Sequence, residues 1–139
     1  MATTRIATGA WQGSLLEGSG TVNLDSSGLG TFDVTWASRI EEPEGRTSPE
    51  ELIAAAHAAC FSMSLASRLA KAGTPPTTLE TRAEVDFQPG EGITAVRLQV
   101  TGDVPGLDDD GFRTMAQDAK ENCPVSKALA AVPIALTVV

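Results

Sequence analysis

A long alanine-rich segment between Ser48 and Gly73 constrains the possible folds of this chain more than any other feature. Ser48 is a suitable helix N-cap, Pro49 suits the first helical position, and Glu51 completes the spacing of a capping box. Gly73 and the two prolines that follow it soon after end the helix. The sequence therefore predicts one helix that runs to about Lys71. Because alanine lies on most of its sides, we expect more than one neighbour to bury it.

The predicted buried stripe of this helix is narrow and made of small side chains. Its members are Ile53, Ala56, Cys60, Met63 and Ser67, and it is widened by Leu52, Ala55, Ala59, Ala66 and Leu69. Aromatic residues are only 4% of the 139 residues and tyrosine is absent, so Ala, Val, Leu and Ile must supply most of the packing.

Strand patterns lie on both sides of the helix. Residues 5–12 and 20–25 are short segments separated by a stretch with Gly, Ser and Glu, and they predict a strand pair. Residues 31–41 form a β-rich stretch with period-two character, followed by a loop over residues 41–47. Alternating apolar residues within 82–100, on either side of a Pro-Gly turn, predict a β-hairpin.

The last part of the chain predicts a second helix and a final strand. Asp108–Asp110 supply acidic residues for the first turn of the helix. Its apolar face consists of Phe112, Met115, Ala116 and Ala119. The helix should end near Asn122, because Pro124 cannot donate a hydrogen bond to the preceding turn. Residues 132–139 predict a final strand, so the order of elements is βββ-α-ββ-α-β and the predicted fold is α+β. The length of the chain predicts a single domain over residues 1–139.

Composition and charge argue against several classes of protein. The formal net charge is −8 and no basic stripe is present, which argues against a nucleic-acid partner and against an anionic membrane surface. No charged segment leads into an apolar one in the manner of a signal peptide, and no apolar run approaches the roughly 18 residues of a membrane span. We therefore expect a soluble, cytoplasmic protein with neither a membrane nor a nucleic acid as partner.

The two cysteines, Cys60 and Cys123, are the residues best suited to carry chemistry. A thiol with a second thiol that can meet it is the minimal apparatus for two-electron peroxide or disulfide chemistry. In a reducing cytoplasm such a pair favours a catalytic or redox role over a structural cross-link. The alternative is two buried, inert thiols that act as small apolar side chains.

Each cysteine needs a source of activation, because the thiolate is the reactive form. Burial in mid-helix would raise the pKa of Cys60, so it needs a cation or donor; His57, three positions earlier, lies on the same face. His57 is alternatively a buried histidine with satisfied hydrogen bonds. If Pro124 begins a short helix, Cys123 is its N-cap, where free N–H groups and the helix dipole stabilise a thiolate. The alternative is that Cys123 is an ordinary small N-cap.

Arg39 and Glu50 are candidates for the charged groups of such a site. Arg39 is predicted at the end of the third strand, where its permanently charged guanidinium could hold a thiolate or polarise a peroxide oxygen, or could simply be solvated. Glu50 is ten positions before Cys60, which is about 15 Å along a helix, so it cannot reach Cys60 of its own helix. It could approach Cys60 of a second copy if two such helices packed antiparallel; otherwise it interacts with the helix dipole.

Other kinds of site fit the sequence less well. His57 and Cys60 form an H-x-x-C pattern that Cys123 could extend, but a zinc site would still need Asp or Glu to close it. The glycine clusters at 18–20 and 28–30 lack the spacing of a phosphate-binding loop and are predicted turns. A papain-like Cys–His hydrolase would lack an oxyanion hole, because the nucleophile lies in an alanine-rich helix. We therefore predict no metal and no cofactor.

Two separated motifs resemble those of a known family. Residues 47–66, TSPEELIAAAHAACFSMSLA, together with residues 123–129, CPVSKAL, closely resemble the OsmC/Ohr family of thiol-dependent peroxidases. The segment HAACFSM is more similar to the osmotically inducible (OsmC) branch than to the organic hydroperoxide resistance (Ohr) branch. The motifs stand in the family order, and compatible strands and helices extend over nearly all of the chain.

The resemblance implies an intertwined homodimer, in which two sheets wrap around two central helices and two active sites lie at the interface. It also implies the role of the peroxidatic cysteine for Cys60, the resolving cysteine for Cys123, the active-site glutamate for Glu50 and the thiolate-stabilising arginine for Arg39. The interval from Arg39 to the SPEEL motif is one residue longer than the usual family pattern, so Arg46 competes for that role. We prefer Arg39 because of its predicted place at a strand end.

The sequence thus predicts a cysteine-based hydroperoxide reductase. Organic hydroperoxides should be better substrates than hydrogen peroxide, because Ala, Leu, Met and Phe61 supply an apolar lining. Oxidised Cys60 would form a disulfide with Cys123, and an external dithiol, which the resemblance suggests is a dihydrolipoyl protein, would reduce it. The alternative is a redox- or stress-sensing protein that uses the same cysteines without turnover.

Overall fold

Six strands and four helices follow one another along the chain, in a computed structural model that describes all residues from 1 to 139. In chain order they are β1 (Thr8–Gln12), β2 (Ser19–Asn23), β3 (Thr31–Val34), α1 (Trp36–Ile40), α2 (Pro49–Lys71), β4 (Thr78–Gln88), β5 (Gly92–Asp103), α3 (Asp109–Asn122), α4 (Pro124–Ala128) and β6 (Ile134–Val138). The predicted α+β order is confirmed, and the short helices α1 and α4 are added to it. The chain divides into two compact units, residues 1–52 and 53–139, and each is described by itself. The single domain over residues 1–139 stays a prediction.

The first unit contains a three-stranded antiparallel sheet in the order β1-β2-β3. Gly20 of β2 pairs with Trp11 of β1, and a Cβ at position 20 would lie 2.3 Å from the carbonyl oxygen of Ala10, so only glycine fits there. No hydrophobic side chain of this sheet is buried, and the largest, Trp11 and Phe32, are exposed. The sheet therefore has no apolar core of its own.

The helix α1 replaces the second half of the strand that we predicted over residues 31–41. β3 ends at Val34, and the Thr35 hydroxyl accepts a hydrogen bond from the Ser38 N–H at 3.1 Å while the Ser38 hydroxyl accepts from the Thr35 N–H at 3.1 Å. This reciprocal capping box has serine in place of the usual Glu or Gln, so the period-two pattern concealed it. Arg39 consequently lies in the last turn of α1 and not at a strand end, which corrects the prediction.

The predicted start and end of α2 are confirmed. The Ser48 hydroxyl accepts a hydrogen bond from the Glu51 N–H at 3.1 Å, although the Glu51 carboxylate accepts from the Thr47 hydroxyl and not from the Ser48 N–H. At the other end Gly73 adopts a φ of 84°, which side chains other than glycine rarely allow. Both ends of α2 are therefore set by local signals.

The second unit contains the sheet β4-β5-β6 and the main hydrophobic core. β4 and β5 form the predicted antiparallel hairpin, and β6 runs parallel to β5. Alternate residues of β5 are buried, namely Val96, Leu98 and Val100. Three residues of the predicted apolar face of α3 are buried in the same unit, namely Phe112, Ala116 and Ala119. The period-two and period-3.6 patterns were therefore correct for these elements.

Apart from Leu69, which was predicted and is buried, the buried face of α2 differs from the predicted one. Its fully buried residues lie four positions apart and are His57, Phe61, Leu65 and Leu69. Of the predicted stripe, Cys60 is half-buried and Met63 is 73% exposed. An alanine-rich helix is apolar on most sides, so its pattern does not select a face. Packing selects the face with the largest apolar side chains, because it removes the most apolar area from water.

The helix α2 is also long and apolar enough to cross a membrane, by length and composition alone. Our expectation that no apolar stretch approaches that length was therefore wrong for this helix. A single helix of this kind is weak evidence for a membrane protein, because core helices of soluble proteins meet the same criterion. One face of α2, which includes Phe61 and Leu65, belongs to the hydrophobic core of the second unit.

Candidate active site

Cys60 lies in the wall of a groove of about 640 Å³ along α2. Beside Cys60 the groove is lined by small or apolar side chains, namely Ala56, Ala59, Met63 and Pro124. The charged residues Arg68 and Lys71 line it as well. Phe61, which we predicted as part of the lining, is fully buried in the core instead. The space next to Cys60 therefore suits an apolar or amphiphilic molecule.

Three neighbouring influences act on the thiol of Cys60. Burial is the largest and raises its pKa, because the protein interior disfavours the thiolate. The backbone N–H of Val125 donates a hydrogen bond to the sulfur and lowers the pKa. The Cys60 S–H donates to the sulfur of Cys123, which stabilises the protonated form and raises the pKa again. The balance raises the pKa of Cys60, so the thiol is protonated at neutral pH in the single chain.

Cys123 is fully buried and stands directly before α4. A short helix does begin at Pro124 with Cys123 as its N-cap, which is the condition that our expectation for Cys123 required. The Cys123 side chain makes no capping hydrogen bond, however, because it belongs to the hydrophobic core. The N–H group of this helix start that reaches a thiol belongs to Val125, and it reaches Cys60. We expected the free N–H groups of this helix start to stabilise a Cys123 thiolate. The Val125 N–H instead donates to the sulfur of Cys60.

His57 is fully buried one helical turn before Cys60 and does not act on its thiol. Its Nε2 lies 2.7 Å from the hydroxyl oxygen of Ser126 in α4, while its Nδ1 is buried without a partner. Burial lowers the pKa of His57 below the ordinary value of 6.5, because the interior disfavours the imidazolium ion. His57 is therefore neutral at pH 7. It is neither the cation that Cys60 needs nor a histidine with both ring nitrogens satisfied.

Arg39 and Glu50 form a bidentate ion pair within the first unit. Nη2 of Arg39 donates to Oε1 of Glu50 at 2.7 Å, and Nε donates to both carboxylate oxygens at 3.1 Å. Glu50, in the first turn of α2, is only 7% exposed. A carboxylate buried to this extent needs a charged partner, and the forked geometry fixes the plane of the guanidinium. The pair therefore orients a permanent positive charge.

The helix α1 places Arg39 for this contact. The guanidinium carbon of Arg39 lies 6.0 Å from the ring centre of Trp36, one turn earlier in the same helix. Arg46, the competing arginine, is exposed and makes no ion pair; it lines a shallow pocket with Asp33. Arg39 is thus the arginine that pairs with Glu50, although our reason for preferring it, a strand end, was wrong.

The four predicted site residues therefore form two pairs. Cys60 contacts Cys123 in the second unit, and Arg39 contacts Glu50 in the first. Val125 was not predicted as a hydrogen-bond donor. The signal was present in the CPVS segment, because the first N–H groups after a proline that starts a helix have no intrahelical acceptor.

The side chains of the second unit do not converge on a metal ion. No group of three or more His, Cys, Asp or Glu side chains is placed to hold one. Nε2 of His57 is engaged by Ser126, so the H-x-x-C pattern does not gather a third ligand.

Comparison with known proteins identifies the family. Residues 42–137 match the family model described as OsmC-like protein. Over 124 residues, 43% are identical to Peroxiredoxin OsmC of Escherichia coli (strain K12), which covers 87% of this chain and 86% of that protein. The chain belongs to the OsmC family.

The OsmC relationship extends to hydroperoxide resistance proteins. The chain is 30% identical over 103 residues to organic hydroperoxide resistance protein OhrB of Bacillus subtilis (strain 168), covering 73% of the chain and 75% of that protein. A crystal structure of an organic hydroperoxide resistance protein OsmC from Legionella pneumophila matches with a TM-score of 0.75 and 25% identity, over 99% of this chain and 98% of that one. Two three-stranded sheets with helices are thus an arrangement that this chain shares with OsmC and Ohr structures.

Proposed function

We propose that this protein is a thiol-dependent peroxidase that reduces organic hydroperoxides. Its relatives are named as a peroxiredoxin and as hydroperoxide resistance proteins, which supports a redox function related to peroxides. The observation that carries the proposal is the hydrogen-bonding contact between the Cys60 and Cys123 thiols beside an apolar groove. Two thiols in contact can form a disulfide with little movement of the backbone.

In the proposed reaction the Cys60 thiolate attacks the terminal oxygen of a hydroperoxide, ROOH. The O–O bond breaks, the alkoxide takes a proton to become an alcohol, and Cys60 becomes a sulfenic acid. The Cys123 thiol attacks the sulfenic sulfur, which forms the disulfide and releases water. A dithiol then returns both cysteines to thiols by exchange and is itself oxidised to a disulfide. The family resemblance suggests a dihydrolipoyl protein for this reductant.

Cys60 needs a positive charge near its sulfur to react at neutral pH. Burial and Cys123 raise its pKa, and the one group that lowers it is the N–H of Val125, not a cation. We assign to Arg39, oriented by Glu50, the stabilisation of the thiolate and of the negative charge on the departing oxygen. Because ten residues of helix, about 15 Å, separate Glu50 from Cys60, we place the Arg39–Glu50 pair of a second protomer at each thiol.

A homodimer is supported by the apolar surface that the single chain leaves exposed. The sheet β1-β2-β3 buries none of its hydrophobic side chains, and Met63 beside Cys60 is 73% exposed. A three-stranded sheet needs a covered apolar face to be stable in water, and a second copy would supply the cover. Sedimentation should therefore give twice the chain mass, and a stable monomer at micromolar concentration would contradict this part of the proposal.

The proposed protein is soluble and cytoplasmic. Its fold and its peroxiredoxin relatives are those of a soluble protein. We place it in the cytoplasm because a reducing thiol pool there would keep Cys60 and Cys123 reduced between turnovers.

Steady-state consumption of tert-butyl hydroperoxide with dithiothreitol as reductant tests the proposal. Cys60→Ser should abolish turnover, and retained turnover would overturn the assignment of the nucleophile. Ser62→Ala is the matched control, because it removes a hydroxyl that contacts Thr81 in β4 and should keep wild-type rates. Wild-type protein that consumes one equivalent of hydroperoxide and then stops would instead be the redox sensor considered above.

A further inference from the structure

His57 and Ser126 form a buried hydrogen bond that the proposed reaction does not use. His57 is fully buried in α2 and Ser126 is nearly so in α4, and Nε2 lies 2.7 Å from the hydroxyl oxygen. The Nδ1 atom of the same ring is buried with no partner. A polar pair with one unsatisfied nitrogen is a poor way to fill a core, because apolar side chains would pack there without an unpaired group. The presence of this pair in the core is therefore better explained by a role other than stability.

The position of the His57–Ser126 hydrogen bond relative to the two cysteines indicates what that role is. His57 precedes Cys60 by three positions, and Ser126 follows Cys123 by three positions, so the two contacts run antiparallel between α2 and α4. The N–H of Val125, which donates to the Cys60 sulfur, lies between Cys123 and Ser126 in the chain. The start of α4 is thus held at the thiols and its middle residue, Ser126, is held at the histidine.

The helix α4 needs such contacts because it is short. It has five residues, and a helix of that length is unstable in water unless tertiary contacts hold it. Loss of the bond at Ser126 would let α4 turn or fray. That movement would displace the Cys123 thiol and the N–H of Val125 from their positions beside Cys60.

We infer that the hydrogen bond between His57 and Ser126 positions α4 so that the Cys123 thiol stays within disulfide-forming reach of Cys60. The inference rests on the resolving role proposed for Cys123. His57 and Ser126 are positioning residues and touch neither substrate nor the reacting sulfur atoms. They raise the effective concentration of the Cys123 thiol at the Cys60 sulfur, and this concentration sets how readily the disulfide forms.

The equilibrium of the protein with reduced and oxidised dithiothreitol measures this quantity directly. In that exchange Cys60 and Cys123 lose two electrons and two protons, and oxidised dithiothreitol gains them. The intact protein is quenched with an alkylating agent, and the disulfide fraction is read by mass spectrometry. Ser126→Ala should lower the equilibrium constant for the disulfide by about tenfold, the effect of one typical hydrogen bond.

Ser62→Ala is the matched control for the loss of a hydroxyl. Ser62 also lies on α2 and makes a 2.7 Å hydrogen bond, but to Thr81 in β4. This variant should leave the disulfide equilibrium within about twofold of wild type, because its lost hydroxyl bonds to β4 and not to α4. An unchanged equilibrium in Ser126→Ala, or an equal loss in Ser62→Ala, would overturn the inference.

A double variant separates positioning from stability. In His57→Leu with Ser126→Ala no polar group is left unpaired, so the midpoint of unfolding should recover towards wild type. The disulfide equilibrium should stay as low as in Ser126→Ala. If it recovered together with stability, the pair would be merely structural and the inference would fall.

The dithiothreitol equilibrium contains no hydroperoxide, so it is independent of the proposed peroxidase activity. Wild-type turnover with an unchanged equilibrium in Ser126→Ala would overturn the inference alone. A lowered equilibrium in Ser126→Ala, with no peroxide consumption by the wild type, would overturn the proposed function alone.

Discussion

The backbone N–H of Val125 donates a hydrogen bond to the sulfur of Cys60, although the helix that carries Val125 is capped by Cys123. The start of α4 therefore directs a positive partial charge at one thiol while it holds the other thiol buried beside it. This N–H is weaker than the opposing effect of burial, since the pKa of Cys60 is raised on balance. In the proposed function, Arg39 of a second protomer supplies the positive charge that would lower the pKa of Cys60.

Replacement of Arg39 by alanine should raise the pKa of Cys60 and lower kcat/KM for tert-butyl hydroperoxide. Loss of one charge-stabilising group at a reaction centre typically lowers the rate by about 10²–10³-fold. The pKa is measured by the ultraviolet absorbance of the thiolate against pH. Arg46→Ala is the control and should change neither quantity, because Arg46 is exposed and makes no ion pair. If only Arg46→Ala raised the pKa, the activating role would belong to Arg46.

Replacement of Cys123 by serine should leave the first oxidation of Cys60 intact and change its product. Without a second thiol the sulfenic acid cannot close a disulfide and proceeds to the sulfinic and sulfonic acids under excess hydroperoxide. Mass spectrometry of protein treated without a reductant should therefore show added oxygen on the Cys60 peptide. Wild-type protein treated in the same way should lose two hydrogens. Identical products from the two proteins would contradict the resolving role of Cys123.

Organic hydroperoxides should be preferred to hydrogen peroxide because of the groove beside Cys60. Its lining near the thiol is small and apolar, with Ala56 and Ala59 among its members. Each apolar carbon that moves from water into such a site contributes about 0.8 kcal/mol, so tert-butyl hydroperoxide should exceed hydrogen peroxide in kcat/KM by about tenfold or more. Steady-state kinetics on the two substrates at equal reductant measure the ratio. A ratio near one would show that the groove does not bind the substrate.

The free energy of unfolding should decrease as the pH falls below 6.5, the ordinary pKa of a histidine such as His57. Burial lowers the pKa of His57 in the folded protein, so below pH 6.5 the unfolded chain binds this proton and the folded chain does not. The free energy of unfolding then decreases by at most about 1.4 kcal/mol per pH unit until the folded pKa is reached.

Denaturant midpoints measured at about pH 7.5 and about pH 5.5 test this dependence at a fixed protein concentration. The double variant of His57→Leu and Ser126→Ala is the control, because it has no ring to titrate. Its midpoint should change less between the two pH values than that of wild type. Equal changes in both proteins would assign the dependence to other groups.

Much of the fold was predictable because its signals are local. The start of α2 at Ser48 and its end at Gly73 each depend on a few consecutive residues. The alternation of Val96, Leu98 and Val100 similarly reports a strand with one buried face. The short helix α1 was missed because its capping box pairs Thr35 with a serine, and the same residues also alternate as a strand does.

The candidate site was predictable in its residues and not in its contacts. Cys60 and Cys123 follow from their two motifs, and the ion pair of Arg39 with Glu50 is consistent with the roles that the family resemblance implies. Which thiol receives the N–H of Val125 could not be inferred, because it depends on how α4 lies against α2. The wrong face of α2 has a similar origin, since alanine on most sides leaves the choice to the neighbours.

The sequence by itself determined the family, the order of the elements and the two thiols, because each of these depends on residue types at fixed spacings along the chain. Only the tertiary structure decided that His57 binds Ser126, that Val125 donates to Cys60 and that Arg39 is the partner of Glu50. Arg39 and Glu50 are 11 positions apart in the sequence, and His57 and Ser126 are 69 positions apart. Burial and hydrogen-bond geometry select such partners, and neither is a property of a short stretch of sequence.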